Sequence, residues 1–123
     1  MPRILSIEDD VDLQQVFSYV LTKKGWPVTF AYDGKDGLAK ALELKPDLIL
    51  LDMMLPGLNG LEVIKALKEN EPTRGIPVIV MTAYPGDEQF LKSTLLAMGA
   101  VEYLAKPVHV DTLLETVERL LPR

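Results

Sequence analysis

The stretches DLILLD, residues 47–52, and IPVIVM, residues 76–81, are the strongest indication of the fold. Both runs are almost wholly apolar, without the polar alternation of a strand that has one wet face. This pattern is typical of strands covered by helices on both sides of a parallel sheet. We therefore predict two central strands, at 47–51 and 76–81, with Asp52 and Thr82 directly after them.

Outward from these runs, short apolar segments alternate with helical patterns along the whole chain. The remaining strands are predicted at 3–7, 28–31 and 101–104, and the helices from about 11, 35 and 60, then at 88–98 and 110–121. Pro27 and Thr29 place the second strand at an edge of the sheet. Five βα units with right-handed crossovers predict an α/β fold, a doubly wound three-layer sandwich around a parallel sheet.

Two details concern packing and the charged surface. A charge run at 65–71 is expected to be the solvated face and end of the third helix. Met53 and Met54 are expected to be packing residues, since no Cys or His accompanies them. Spacing at i, i+3 and i+4 predicts inward apolar stripes on the first two helices: Leu13, Val16, Phe17, Val20 and Leu21, then Leu38, Ala41 and Leu42.

Composition narrows the function classes. The chain has 123 residues, a formal net charge of −5, no cysteine and one histidine, which argues against disulfides, thiolate metal sites and zinc. We expect a single domain over residues 1–123 in the cytoplasm, without a membrane segment or signal peptide. The acidic balance and the lack of a basic cluster predict no direct binding to nucleic acid.

The strand ends gather the reactive side chains. In a doubly wound sheet, ligands bind beyond the carboxyl ends of the strands. Carboxylates that share such a crevice need protons or a cation between them, and an all-oxygen set favours Mg²⁺. A carboxylate nucleophile beside a metal, a hydroxyl and an ammonium suits formation of an aspartyl phosphate. The residues concerned are Glu8, Asp9, Asp10, Asp52, Thr82 and Lys106.

Four motifs resemble those of the receiver domains of two-component response regulators. They are ILSIEDD at 4–10, LLDMMLPG at 50–57 followed by Gly60, VMTA at 80–83 and AKP at 105–107, in the family's order and spacing. The resemblance covers nearly the whole chain. It implies the strand order 2-1-3-4-5, with the carboxylates at the switch point between the first and third strands.

The resemblance also implies a role for each matching residue. Asp52 would be the phosphoacceptor, and Mg²⁺ would be bound by Asp9, by the Asp52 carboxylate and by the Met54 main-chain carbonyl. Glu8, where many relatives have Asp, would hold the metal through water. Thr82 and Lys106 would bind the phosphoryl group, Tyr103 would be the switch aromatic, and the bond between Lys106 and Pro107 would be cis. Asp10 is left open between a helix cap and a link to the metal.

The expected partners follow from the same resemblance. A sensor histidine kinase or histidine phosphotransfer protein would supply the phosphoryl group from a phosphohistidine. Phosphorylation would repack the surface of the helix at 88–98, the strand at 101–104 and the helix at 110–121. That change would alter binding of an output domain or target protein. The chain would be a monomer or weak dimer; Thr116 stands where a large class of transcription-factor receivers has Arg.

Two other readings remain as alternatives. One is a pseudo-receiver, an interaction module that keeps the fold without being phosphorylated. The other is a phosphatase of the haloacid dehalogenase type, which expects a second Asp two residues after the nucleophile, where this chain has Met54. We expect no enzyme in the strict sense, although the chain would assist phosphotransfer to its own Asp52 and its own dephosphorylation.

Overall fold

The computed structural model describes residues 2–55, 57–83 and 86–121. Five strands form one parallel sheet in the order β2-β1-β3-β4-β5, which confirms the predicted fold class and strand order. The strands are β1 Ile4–Ile7, β2 Val28–Ala31, β3 Leu48–Asp52, β4 Val78–Thr82 and β5 Glu102–Ala105. The helices are α1 Val11–Lys23, α2 Gly34–Leu44, α3 Gly60–Glu69, α4 Glu71–Arg74, α5 Glu88–Ala97 and α6 Val110–Leu120.

The sheet is covered on both faces because alternate strand residues point to opposite sides. One core packs α2, α3 and α5 against residues such as Ile7 and Leu51. The other packs α1 and α6 against residues such as Ile4 and Leu50. This arrangement is the predicted three-layer sandwich, with β2 at the edge as its proline indicated.

The prediction of inward apolar stripes on the first two helices was wrong at two positions. Val16 is 46% exposed and Leu42 is 37% exposed, although both fit the spacing of an inward stripe. The buried faces of α1 and α2 are narrower and rest on Phe17 and Leu21, and on Ala41. A four-residue helix has too few positions to show a period, so α4 was missed at the sequence level.

The charge run at 65–71 lies on α3 and at its end, and Lys65, Glu69 and Glu71 are exposed as predicted, whereas Lys68 is half-buried. Instead of lying in solvent, Lys68 donates from Nζ to the carbonyls of Arg74 and Ile76, at 3.1 Å each. It thereby closes the turn that carries α4, where Thr73 is fully buried and donates to the Leu67 carbonyl at 2.7 Å. This corner lies at the amino end of β4, away from the predicted site.

Candidate functional site

The predicted site residues meet at the carboxyl edge of the sheet. Glu8 directly follows β1, Asp52 ends β3, Thr82 ends β4 and Lys106 directly follows β5. Asp52 and Thr82 were expected just beyond their strands, and the ladder extends to include them: Asp52 is paired with Met81 of β4. The parallel register therefore places an anionic group, a hydroxyl and an ammonium along one edge.

Three carboxylates form the centre of this edge. Glu8, Asp9 and Asp52 each present an oxygen, and these atoms all lie within 4.8 Å of one another. Glu8 and Asp52 are almost fully buried, at 1% and 3% exposure, whereas Asp9 is exposed. Two unit charges about 4 Å apart repel by roughly 4 kcal/mol at an effective dielectric constant near 20, so a neutralising group is required.

Lys106 supplies part of that neutralisation. Its Nζ lies 2.9 Å from Glu8 Oε2 and 3.3 Å from Asp52 Oδ2, bridging the two buried carboxylates. Burial opposes the charge on Lys106, but the hydrogen bond to Glu8 and the charges of Asp52 and Glu8 outweigh it and raise the pKa of Lys106. One ammonium still leaves three carboxylates with an excess of negative charge.

Protonation of Glu8 can relieve this excess of negative charge. Burial raises the pKa of Glu8 from 4.5 to about 7, with the charge of Asp52 adding to the effect and the hydrogen bond from Lys106 opposing it. Without a bound cation, Glu8 therefore holds a proton for part of the time near neutral pH.

Local hydrogen bonds set the orientation of the acidic residues. Glu8 Oε1 accepts from the Asp10 N–H at 3.1 Å, and Asp52 Oδ1 accepts from the Met54 N–H at 3.1 Å. The Asp10 side chain accepts from the Leu13 N–H at 3.2 Å and is the N-cap of α1. The structure thus assigns Asp10 to the helix cap, the first of its two readings.

The remaining predicted residues surround the carboxylates or lie nearby. Thr82 is 1% exposed, and its hydroxyl has no hydrogen-bond partner among residues 2–55, 57–83 and 86–121. The peptide bond between Lys106 and Pro107 is cis.

Met53 packs in the core, but Met54 is 65% exposed, so the expectation that both methionines pack was wrong for Met54.

Tyr103 lies on β5 in the core beside α5 and is 9% exposed. Burial raises its pKa, and the carboxylate of Glu88 adds to the effect. Its ring is therefore already mostly buried in this structure, beneath a surface formed by α5 and β5.

The donor set fits magnesium. All three clustered side chains offer hard oxygen ligands, and neither sulfur nor imidazole is among them. The buried hydroxyl of Thr82, without a partner in the part of the chain that the structure describes, is a second polar group available at this edge. The residues present therefore fit a small oxygen-binding cation.

Sequence reasoning missed one polar residue behind this site. Gln14 is 1% exposed, and its side-chain amide donates toward the main-chain carbonyls of Ser6, Glu8 and Ala31. In the sequence it is an ordinary polar residue of α1, beside Gln15, and periodicity alone does not distinguish the two.

Close approach of backbone explains a glycine at the same edge. A Cβ added to Gly60 would lie 2.6 Å from Met53 Cα and 3.2 Å from the Asp52 carbonyl oxygen. The start of α3 therefore packs directly on the segment that carries Asp52, which only glycine permits without a backbone shift.

Comparison with known proteins shows the family. The family model of the response regulator receiver domain matches residues 4–118, so the chain belongs to that family. Its members act in two-component signalling. In the part of the chain that the structure describes, no helix has the length and apolar character needed to cross a bilayer.

One similar curated protein is the DNA-binding dual master transcriptional regulator RpaA of Synechocystis sp. It is 41% identical over 123 residues, which is 100% of this chain and 50% of that protein. The chain spans about half the length of the curated relatives it matches, at 54% and 50% of the first two.

Solved structures agree on the fold. The chemotaxis response regulator CheY4 of Vibrio cholerae superposes with a TM-score of 0.89 at 32% identity, over 98% of this chain and 99% of that chain. The receiver domain of the sensor histidine kinase PA1611 of Pseudomonas aeruginosa has a TM-score of 0.86 at 30% identity, over 97% and 96% of the two chains. That structure carries a magnesium ion coordinated in its active-site cleft.

Proposed function

We propose that this chain is a phosphorylation-dependent switch that accepts a phosphoryl group on Asp52. The observation that carries the proposal is the bridge from Lys106 to both Glu8 and Asp52 within a cluster of three carboxylates. A structural ion pair needs one anion and one cation, whereas this site gathers three carboxylates and a buried hydroxyl around one ammonium. Such an excess suits a site that receives a cation and a phosphoryl group.

Magnesium is the cation that we propose. Asp9, the Asp52 carboxylate and the Met54 main-chain carbonyl would hold it, with Glu8 bound through a water molecule. When bound, the ion would neutralise the carboxylates and the charge of the entering phosphoryl group. The magnesium in the cleft of the PA1611 receiver domain supports this proposal, as does the oxygen-only donor set here.

The chemistry of the transfer falls to Asp52. A carboxylate oxygen of Asp52 attacks the phosphorus of a phosphohistidine on the partner, an O–P bond forms, and the P–N bond breaks with its electron pair returning to the imidazole. Lys106 already lies 3.3 Å from Asp52 Oδ2, so it can pair with a phosphoryl oxygen after the transfer. Thr82 would donate its buried hydroxyl to the same group.

The donor and the receiver of the signal are also part of the proposal. The donor would be a sensor histidine kinase or a histidine phosphotransfer protein. The readout would be a repacking of α5, β5 and α6, where Phe90 is 64% exposed and Tyr103 lies beneath the surface. Because Tyr103 is already mostly buried, we propose a change in its packing against α5 instead of an inward swing from solvent.

An output domain in a longer protein, or a separate target, would bind the repacked surface. The chain matches only half of a relative whose name describes it as DNA-binding, which supports an output outside this chain. With a net charge of −5, the chain itself offers no electrostatic attraction for nucleic acid. We propose that it is a monomer or a weak dimer.

The alternatives lack support from the site. A pseudo-receiver has no need of an intact acceptor, ammonium and hydroxyl in one cleft. A phosphatase of the haloacid dehalogenase type needs a second acid where the exposed Met54 stands. We therefore propose that the chain is no enzyme beyond assisting its own phosphorylation and dephosphorylation.

Magnesium titration by calorimetry tests the site with a matched pair of variants. Asp9→Asn and Asp10→Asn remove the same charge from adjacent positions, but Asn caps a helix about as well as Asp. We expect Asp9→Asn to abolish measurable uptake and Asp10→Asn to leave most of it. Equal affinities for the two variants, or no uptake by the wild-type protein, would contradict the proposed site.

A further inference from the structure

Gln14 makes an unusual set of contacts behind the acidic cluster. Its Nε2 lies 3.0 Å from the Ser6 carbonyl oxygen, 3.1 Å from that of Glu8 and 3.1 Å from that of Ala31. An amide nitrogen carries two hydrogens, so at least one of them is shared between two acceptors. Because all three neighbours are acceptors, only the nitrogen of the amide can face them, which fixes the orientation of the side chain.

These contacts join the carboxyl ends of two strands. Ser6 lies on β1, Ala31 ends β2, and the Glu8 N–H itself donates to the Ala31 carbonyl at 3.0 Å. Gln14 therefore holds the last ladder bond between β1 and β2 from the side. The chain leaves the sheet at this point and carries Glu8 into the acidic cluster.

Gln14 also holds the other end of the same loop. Its main-chain N–H donates to the Asp10 carbonyl at 3.0 Å, the first bond of α1. Gln14 thus hydrogen-bonds to both ends of the loop from Glu8 to Asp10, which carries the exposed Asp9. Its side chain binds at the Glu8 end and its main-chain N–H at the Asp10 end. A carboxylate loop fixed at both ends keeps its like charges together before a cation arrives.

We infer that Gln14 is a positioning residue for the loop Glu8–Asp10, which its side-chain amide holds in the geometry that brings Glu8 and Asp9 to Asp52. The inference rests on the proposed function insofar as that geometry serves metal binding. The side chain of Gln14 donates only to main-chain carbonyls within the described residues, so it acts on the loop through the main chain.

The test uses Gln14→Met, which keeps the length and approximate volume of the side chain and removes its donor. Gln15→Met makes the same substitution at the adjacent, exposed position of α1. Thr73→Val is the stability control, because it removes a buried hydrogen bond of α4, at the amino end of β4 and away from the acidic cluster. All three are measured in the complete chain.

The first readout is amide hydrogen exchange without metal. In Gln14→Met, the main-chain amides at positions 10 and 14 should exchange faster than the loss of global stability alone explains. In Thr73→Val, exchange at these positions should rise only as much as its loss of global stability predicts. Exchange at Asp10 no faster in Gln14→Met than in a Thr73→Val protein of equal stability would overturn the inference.

The second readout is the magnesium dissociation constant from calorimetry. We expect about tenfold weaker binding in Gln14→Met, the usual effect of losing a residue that orients a metal ligand. Gln15→Met and Thr73→Val should bind as the wild type does. Unchanged affinity in Gln14→Met would overturn the link to the metal. If wild-type protein bound no magnesium, the proposed function would be contradicted. The hydrogen-exchange result would still test whether Gln14 positions the loop.

Discussion

The ammonium of Lys106 lies 2.9 Å from Glu8 Oε2, closer than its 3.3 Å distance to Asp52 Oδ2. The acid proposed to hold magnesium only through water is thus the nearer of the two partners of the lysine. Entry of a cation should weaken this pair and leave Lys106 free for the group on Asp52.

The titration of Glu8 predicts how stability depends on pH. Its pKa is about 7 in the folded protein and 4.5 when unperturbed, so the folded state binds more protons than the unfolded chain between these values. The stabilisation from the protonated form is complete below pH 4.5 and is lost as the pH rises through 7. A difference of this size amounts to about 3 kcal/mol.

Chemical denaturation of metal-free protein at a series of pH values checks this prediction. The pKa of Lys106 is raised, so it stays charged across this range. Glu8→Gln cannot titrate and should flatten the decline, whereas Asp36→Asn, an exposed acid on α2, should preserve it. An undiminished decline in Glu8→Gln would show that another group is responsible. Magnesium should reverse the loss in wild-type protein, because the ion binds the ionised carboxylates.

The unpartnered hydroxyl of Thr82 predicts opposite effects on stability and signalling. Thr82→Val keeps the shape of the side chain and removes a buried polar group that has no partner in the described residues. The unphosphorylated variant should be as stable as wild type or more stable by about 1 kcal/mol. Asp52 should still be phosphorylated, but phosphorylation should no longer change the conformation of β5.

Amide chemical shifts of Glu102–Ala105, recorded before and after treatment with a phosphodonor, measure that coupling. Wild-type protein should show large changes and Thr82→Val small ones. Matching shift changes in the two proteins at equal phosphorylation would contradict this role of Thr82. Thr94→Val, on the partly buried side of α5, is a control in which the changes should persist.

The contact between Gly60 and the Asp52 segment predicts a large cost for a single methyl group. Gly60→Ala would place Cβ 2.6 Å from Met53 Cα, and backbone cannot yield as a side chain would. We expect a loss of about 2–3 kcal/mol in the free energy of unfolding. Gly75→Ala is the matched control, since its Cβ would meet nothing within 4 Å. Equal denaturation midpoints for the two variants would refute the argument.

The apolar runs at 47–51 and 76–81 predicted the central strands because both faces of such a strand must be apolar, whereas the strand order was implied by the resemblance to receiver domains. The sequence also brought Asp9, Asp52, Thr82 and Lys106 to one edge, since strand ends in a parallel sheet are adjacent whatever the side-chain detail. It could not separate Gln14 from Gln15, because which of two polar neighbours turns inward depends on carbonyls contributed by two other strands. The pairing of Lys106 with Glu8 before Asp52 likewise depends on distances that spacing does not contain.

Exposure of Val16 and Leu42 has a similar cause. Helical periodicity marks which residues could share a face, but the width of the buried stripe depends on how closely each helix packs on the sheet. On α1 the neighbours Phe17 and Leu21 complete the contact, and Val16 remains at the margin.

Intact mass after incubation with a small-molecule phosphodonor tests the central proposal most directly. Wild-type protein should gain the mass of one phosphoryl group in the presence of magnesium and little without it. Asp52→Ala should gain none, while Asp36→Ala, which removes an exposed carboxylate, should behave as wild type does. Modification of Asp52→Ala to the wild-type extent, or no magnesium-dependent gain by the wild type, would contradict the account.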